Sequence, residues 1–188
     1  ENIKGFFKES GELKVTLGQD EAFIKSVTDA TTLIHDALHA GNKLLAAGNG
    51  GSAADAQHMV CEFVGRFKKE RKALPAISLT TNASSITAIS NDYSYDVSFE
   101  RQLEAFAESK DIALGISTSG NAANVINAIK RAKSLKVKTV ALTGKDGGEL
   151  SKVADISVIV PSNDTPRIQE AHVLIIHILC ALVEEKTT

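Results

Sequence analysis

Five short apolar runs, separated by longer stretches with helical periodicity, constrain the fold of this chain more than any other feature of the sequence. They read KLLAAG, ALPAISLTT, DIALGIS, KTVALTG and DISVIVP. Because the runs are continuously apolar rather than alternating, they are expected to be buried on both faces, and the helices between them would connect parallel strands. The sequence therefore predicts an α/β fold, a doubly wound five-stranded parallel sheet flanked by helices.

The residues before about position 42 show helical periodicity and no strand pattern. Asp20 is the predicted N-cap of the second of two helices, and Gly41 is its predicted end. With 188 residues and 43% hydrophobic content, the chain is long enough to bury one core, and no repeat or Pro/Ser-rich linker divides it. We predict a single domain over 1–188, with N-terminal helices in 1–41 and an α/β core in 42–188.

Charge and composition narrow the class of protein. The 21 basic and 23 acidic residues give a net charge of -2, which argues against a nucleic-acid partner. No apolar run reaches the ~18 residues needed to span a bilayer, and the N-terminus lacks a signal segment. Cys61 and Cys180 lie outside any CxxC pair and are expected to be reduced core residues. A cytoplasmic protein with no membrane partner is the expectation.

Two predicted strands are followed by turns suited to an anion. The first turn is Gly48-Asn49-Gly50-Gly51-Ser52, and the second is Ser117-Thr118-Ser119-Gly120-Asn121. Glycines let the backbone approach a phosphate closely, and helix N-termini and hydroxyls donate hydrogen bonds to it. Either turn alone is equally well explained as an ordinary strand-to-helix connection. Neither matches GxxxxGK[ST], and GxGxxG is absent, so nucleotide-binding loops are disfavoured.

A polar stripe follows the first turn. His58 and Glu62 are four residues apart, so they would lie on one helical face, and Arg66 would continue the stripe. Such a pair can bind a divalent metal or transfer a proton. Spacing alone favours a solvated ion pair, but Glu62 interrupts the apolar run MVCEFV, which favours a functional role.

The last segment, Arg167 to Glu185, is apolar around much of its circumference, which favours packing against another subunit. Within it, His177 in LIIHILC is expected to be buried and either hydrogen-bonded or liganded. Gln169 lies eight residues earlier, a rise of about 12 Å, so one small site would need the two from different subunits. Elsewhere, His39 is expected to be structural, and Asp92 belongs either to a simple turn or to a sugar-binding site.

Taken together, several motifs resemble the bacterial phosphoheptose isomerases of the sugar-isomerase (SIS) domain superfamily. They are LLAAGNGGSAADAQH, CEFVGRF, AISNDY, GISTSGNAANV, LTGKDGGEL and RIQEAHVLIIHILC, and they cover nearly the whole chain. The resemblance implies a five-stranded parallel sheet and a homotetramer with active sites between subunits. It also implies conversion of sedoheptulose 7-phosphate into D-glycero-D-manno-heptose 7-phosphate, the first committed step toward the heptose of lipopolysaccharide.

The resemblance also assigns residues by position. Glu62 and His177 match the family's acid/base pair, which would move the carbonyl through an enediol. The zinc ligands of the family are matched by His58, Glu62, Gln169 and His177. Positions that hold the substrate are matched by Asn49, Gly50, Gly51, Ser52, Glu62, Arg66, Asn91, Asp92, Ser117, Thr118, Ser119 and Gln169.

One position departs from the family pattern. Ala122 stands where the family usually has a serine, which removes one hydroxyl that could bind the phosphate. Either substrate affinity is weaker for that reason, or a water takes the place of the hydroxyl. The main alternative is a non-catalytic SIS tetramer that binds a sugar phosphate or associates with the replication initiator protein. Glu62 and His177 favour the enzyme over that class. A sugar-phosphate sensor of a transcription regulator would need a DNA-binding segment, and this sequence contains none.

Overall fold

The structure, a computed structural model that describes residues 2–187, contains the predicted parallel sheet. Its strands are β1 (Leu44–Gly48), β2 (Ala76–Ser78), β3 (Ile112–Ser117), β4 (Lys138–Gly144) and β5 (Ile156–Val160). Its helices are α1 (Asn2–Gln19), α2 (Glu21–His39), α3 (Gly51–Val64), α4 (Ala83–Asp92), α5 (Ser98–Phe106), α6 (Ala123–Ser134), α7 (Gly148–Val153) and α8 (Thr165–Thr187), with a short 3-10 helix at Tyr95–Val97. Glu1 and Thr188 of the predicted domain lie outside the described residues.

The order of the strands fixes where a ligand can bind. The sheet runs β2-β1-β3-β4-β5, and every pair is parallel. The chain therefore reverses its direction of travel across the sheet between β1 and β3, and ligands of such sheets bind beyond the strand ends at that point. The first turn follows β1 and the second turn follows β3, so the two turns are neighbours at this crevice.

The sheet separates two apolar cores, as the continuous apolar runs predict. In β1, Leu44 and Ala46 pack into a core formed with α2, α3 and α8, while Leu45 and Ala47 pack into a second core formed with α5, α6 and α7. All five residues of β1 and all six of β3 are buried. The doubly wound α/β prediction is confirmed.

The two N-terminal helices begin and end close to the predicted residues. Asp20 is the N-cap of α2, and its carboxylate accepts hydrogen bonds from the backbone N–H groups of Ala22 and Phe23 at 2.9 and 3.1 Å. Gly41 follows the end of α2 with φ +85°, the left-handed conformation that favours glycine after a helix. Helix α2 packs against α8 and β5, so the N-terminal helices share the first core.

Helix α8 is long and apolar enough to cross a membrane by length and composition alone, with a mean hydropathy of 1.4 over an 18-residue window within Thr165–Lys186. In the structure 44% of that window is buried, and α8 packs against α2, α3 and β4, as a core helix does. Leu174 and Ile178, one turn apart, remain 39% and 37% exposed. This apolar strip is where the predicted second subunit would pack.

The two cysteines have different environments. Both are free, and Cys180 is buried as predicted, which raises the pKa of its thiol to about 12. The prediction of a core position is wrong for Cys61, which is exposed. The buried side of α3 is formed by other positions, among them Met59 and Phe63, and Cys61 lies between them on the solvent side.

Candidate active site

The first turn joins β1 to α3 through close backbone contacts. A Cβ atom on Gly48 would lie 2.5 Å from the carbonyl oxygen of Ser52, so only glycine fits there. Gly50 has φ +55° and precedes α3, whose N-terminal N–H groups favour an anion. The side chain of Ser52 is on the buried side of α3, 3% exposed. The backbone N–H groups at the start of α3 and the Ser52 hydroxyl can therefore contact the same small anion.

The second turn is supported from behind by the loop after β4. Gly120 has φ +65°, and a Cβ atom there would collide with the carbonyl oxygen of Gly147. The N–H of Leu150 donates to the Gly120 carbonyl at 2.8 Å, and the N–H of Glu149 donates to Asn121 Oδ1 at 3.1 Å. The turn is held rigidly, as preorganised recognition of an anion requires.

The two turns enclose one cavity of ≈ 160 Å³. Its lining consists of Asn49, Ser52, Ile116, Ser117, Thr118, Ser119 and Ala122. Among the described residues that line it there is no Lys or Arg, so an anion bound there would depend on hydroxyls, amides and the helix N-terminus. Ala122, the predicted departure from the family pattern, lies in this lining and contributes no hydroxyl.

Two residues that the sequence analysis did not single out hold Asn49 of the first turn in place. Asn124, in the first turn of α6 and 3% exposed, exchanges two side-chain hydrogen bonds with Asn49 at 2.8 and 3.0 Å. The Tyr95 hydroxyl donates to Asn49 Oδ1 at 2.7 Å. These bonds fix the Asn49 amide at the edge of the cavity. A polar residue in the apolar start of α6 was the available signal for Asn124, while the contact of Tyr95 has no local signature.

Three side chains converge on one point beside α3. His58 Nε2 lies 3.2 Å from Glu62 Oε1 and 3.2 Å from His177 Nε2. The two imidazole rings meet edge to face with their centroids 4.9 Å apart. We call His58, Glu62 and His177 the triad. The structure thus joins the predicted pair on α3 to the predicted histidine on α8 within a single chain.

The triad has the donor set and spacing of a metal site. One ligand atom from each residue lies within 4.8 Å of the other two. Imidazole nitrogen and carboxylate oxygen are common zinc ligands. Bonds of about 2.0–2.1 Å in a tetrahedral arrangement place two ligand atoms roughly 3.3 Å apart, close to the 3.2 Å found for both contacts of His58. Three protein ligands would leave a coordination position open.

Two predictions are wrong, that Arg66 continues the helical stripe of His58 and Glu62 and that His177 is buried. Arg66 does not continue the helical stripe, because α3 ends at Val64 and Gly65 turns the chain away. The Arg66 side chain is exposed and lies 3.9 Å from Glu70. His177 is only half-buried. The fully buried histidine is His172, which donates to the Thr143 carbonyl at 3.0 Å and whose pKa is lowered to about 4 by burial.

The remaining predicted residues lie apart from the triad. Gln169 contacts the first turn, since a Cβ atom on Gly51 would collide with its Nε2. It lies two helical turns before His177, so one chain places Gln169 at the first turn and His177 in the triad. Asn91 and Asp92 are exposed residues in the last turn of α4, where the Asn91 amide donates to Asp92 Oδ1 at 2.9 Å.

A buried carboxylate lies between the first turn and the triad. Asp55 is 7% exposed, and its Oδ2 has no hydrogen-bond partner among the described residues. Burial raises the pKa of Asp55 from 3.8 to about 6, against a smaller opposing effect of His58. The sequence feature that could have indicated Asp55 is its position one helical turn after Ser52.

Asp55→Asn should change how stability depends on pH. The folded protein holds the Asp55 proton more tightly than the unfolded chain does, so the wild type loses stability as pH rises from 3.8 to about 6. The variant lacks this loss. Its free energy of unfolding relative to wild type should therefore rise by about 3 kcal/mol over that interval. Urea denaturation of metal-free protein at pH 3.5, 5 and 7 measures the free energy of unfolding of both proteins. A difference between variant and wild type that does not change with pH would contradict the raised pKa of Asp55.

Comparison with known proteins agrees with this geometry. Residues 8–144 match the family model of the SIS domain. A phosphoheptose isomerase of Geobacter sp. (strain M21) is 59% identical over 161 residues, covering 86% of this chain and 84% of that protein. One from Aquifex aeolicus (strain VF5) is 50% identical over 185 residues, covering 98% and 96%. The solved structure of phosphoheptose isomerase from Neisseria gonorrhoeae superposes with a TM-score of 0.91 at 39% identity, covering 98% and 97%.

Proposed function

This chain belongs to the phosphoheptose isomerase family of SIS-domain proteins, and from that premise we propose that it converts sedoheptulose 7-phosphate into D-glycero-D-manno-heptose 7-phosphate. The family identifies a sugar-phosphate isomerase of heptose biosynthesis. Our proposal adds the substrate, the roles of individual residues and the metal to this family-level function. We also propose that residues 1–188 form a single cytoplasmic domain and that the protein assembles as a homotetramer.

The observation that carries the proposal is that one helix connects the cavity between the two turns, called here the anion cavity, to the triad. Helix α3 begins in the first turn, and His58 follows Ser52 by six residues, a rise of about 9 Å. A phosphate held by the turns would leave the other end of an extended sugar chain near His58 and Glu62. A seven-carbon chain with a terminal phosphate and a carbonyl at its opposite end suits this separation.

In the proposed mechanism the turns bind the phosphate and the triad moves protons. Hydroxyls of Ser52, Ser117, Thr118 and Ser119 and the N-terminus of α3 hold the phosphate and so fix the distance to the reacting carbons. The Glu62 carboxylate removes the proton from C1 of the ketose, which gives the enediol, and His177 exchanges protons with the C1 and C2 oxygens. Return of a proton to C2 completes the aldose.

A divalent metal, proposed as zinc, fits the triad. His58, Glu62 and His177 would hold it, and Gln169 is proposed as a further ligand. A bound zinc supplies a positive charge that polarises the carbonyl oxygen. Because Gln169 contacts Gly51 rather than the triad within one chain, its coordination would require the arrangement of a subunit interface.

We propose that subunit contacts complete the active site. Arg66, Asn91 and Asp92 match substrate-binding positions, but within one chain they are exposed and do not line the cavity. The exposed apolar strip of Leu174 and Ile178 on α8 supports burial of this helix against another subunit. Arg66, Asn91 and Asp92 would then reach the active site of a neighbouring subunit. The non-catalytic SIS tetramer, the alternative class, shares the turns but does not require the triad.

Incubation with sedoheptulose 7-phosphate tests the proposed function. Purified protein supplied with Zn²⁺ should form the aldose, and treatment with a chelator followed by its removal should lower the rate until Zn²⁺ is restored. The product is followed by nuclear magnetic resonance of the C1 proton. No turnover by metal-replete protein that binds the substrate would favour the non-catalytic alternative.

A further inference from the structure

The segment after α3 is fixed by a buried carboxylate from the far end of the chain. Glu184, on α8, is 2% exposed. Its oxygens accept three consecutive backbone N–H bonds, from Phe67 at 3.0 Å, Lys68 at 2.7 Å and Lys69 at 2.9 Å. Consecutive N–H groups of this kind form an anion-binding concavity. Here the protein's own carboxylate occupies it, which joins the segment after α3 to α8.

Arg71 joins the same carboxylate to the end of α3. Its side chain is 3% exposed, and its Nε lies 3.3 Å from Glu184 Oε1. Its Nη2 donates to the Glu62 carbonyl at 2.7 Å, and its Nη1 donates to the Phe63 carbonyl at 2.9 Å. Both carbonyls belong to the last turn of α3, where a cation is favoured. We call Arg71 and Glu184 the clamp.

The clamp lies next to the triad on both helices. Arg71 binds the backbone of Glu62, whose side chain belongs to the triad. Glu184 follows His177 by seven residues, two helical turns on the same face of α8 and a rise of about 10 Å. Phe67, whose N–H binds Glu184, places its ring 5.5 Å from the His177 ring. The helices α3 and α8 are therefore joined at two levels, one formed by the triad and one by the clamp.

We propose that Arg71 and Glu184 are positioning residues of the triad, which hold α3 and α8 in the register that brings His177 to His58 and Glu62. The ion pair is buried, so removing either partner leaves an uncompensated charge and releases the contact between the helices. The inference rests on the proposed metal site for its readout. It does not depend on which sugar phosphate is the substrate.

The test measures affinity for Zn²⁺ rather than turnover. Glu184→Gln keeps the shape of the side chain but removes the charge that faces Arg71, and Arg71→Lys keeps a charge that cannot bind the carboxylate and two carbonyls together. Each variant should lower Zn²⁺ affinity at least tenfold, measured on metal-stripped protein by competition with a chromophoric chelator. Glu185→Gln, at the exposed neighbouring position, should bind Zn²⁺ like the wild type.

A second comparison separates positioning from general loss of stability. Ile129→Ala opens a cavity in the second core, on the opposite side of the sheet, and should lower the melting temperature without changing Zn²⁺ affinity. Wild-type affinity in both clamp variants would overturn the inference, as would equal loss of affinity in Ile129→Ala at matched stability. Failure of the wild type to bind Zn²⁺ would also overturn it. Normal Zn²⁺ binding without turnover would instead overturn the proposed isomerase activity and leave the clamp standing.

Discussion

Glu62→Gln should lower turnover of sedoheptulose 7-phosphate by about a thousandfold or more. The substitution keeps the size of the side chain and an oxygen able to accept a hydrogen bond near His58, 3.2 Å away in the wild type. It removes the carboxylate that takes the proton from C1, and such a group contributes roughly 10²–10⁴ to the rate. The measurement is kcat from the rate of aldose formation at saturating substrate and Zn²⁺.

The matched control for this substitution is Glu70→Gln. Glu70 is a highly exposed carboxylate in the segment after α3, 3.9 Å from Arg66, and its loss should leave kcat within twofold of wild type. Substrate binding by Glu62→Gln, measured by calorimetry, should persist because the phosphate turns are unchanged. Near wild-type kcat in Glu62→Gln would show that another group removes the proton and would return Glu62 to the role of a structural ion-pair partner.

The sheet and the closeness of the two turns could be predicted because their signals are local. Continuous apolar runs such as that of β1, Leu44–Gly48, identify strands buried on two faces. The glycines that follow identify turns with close backbone contacts: Gly48 is required by its contact with the backbone of Ser52, and Gly120 by its contact with the backbone of Gly147. A parallel sheet with one reversal of direction then brings the turns after β1 and β3 together. No long-range contact had to be guessed.

Errors arose where one residue ends a pattern or where the partner is distant in sequence. Gly65 ends α3, so the stripe of His58 and Glu62 stops before Arg66 despite the regular spacing. The hydrogen bond between Phe67 and Glu184 joins residues 117 positions apart, and no local pattern indicates it. The difference in burial between His172 and His177 depends on which side of α8 faces the sheet. Periodicity cannot settle that for a helix apolar on nearly every side.

The described lining of the anion cavity contains no Lys or Arg. This composition bears on how the proposed phosphate would be distinguished from other anions. Hydroxyls and backbone N–H groups bind a phosphate through directed hydrogen bonds, whereas a lysine acts mainly as a point charge. The Asn49–Asn124 pair and the Tyr95 hydroxyl hold one wall of the cavity in place. In the proposed function, binding by geometry rather than charge would favour a phosphate ester at one fixed distance from the triad over other anions.

His177→Ala should lower kcat by about a hundredfold or more and weaken Zn²⁺ binding in the same protein. The substitution removes the imidazole that lies 3.2 Å from His58 Nε2. It therefore takes away both the proposed proton carrier for the substrate oxygens and one of three converging metal ligands. Measurement of kcat and of Zn²⁺ affinity on the same preparation separates the two losses.

Rescue by free imidazole distinguishes a chemical role of His177 from a structural one. Because His177 is half-buried, its removal leaves a space that solvent imidazole can enter, and added imidazole should restore part of kcat at saturating Zn²⁺. His39→Ala, at the exposed end of α2, should show neither the loss nor the rescue. Unchanged kcat in His177→Ala would contradict the assignment. Loss of kcat without rescue, at normal Zn²⁺ affinity and an unchanged oligomeric state, would place the effect of His177 in packing against Phe67, whose ring lies 5.5 Å away.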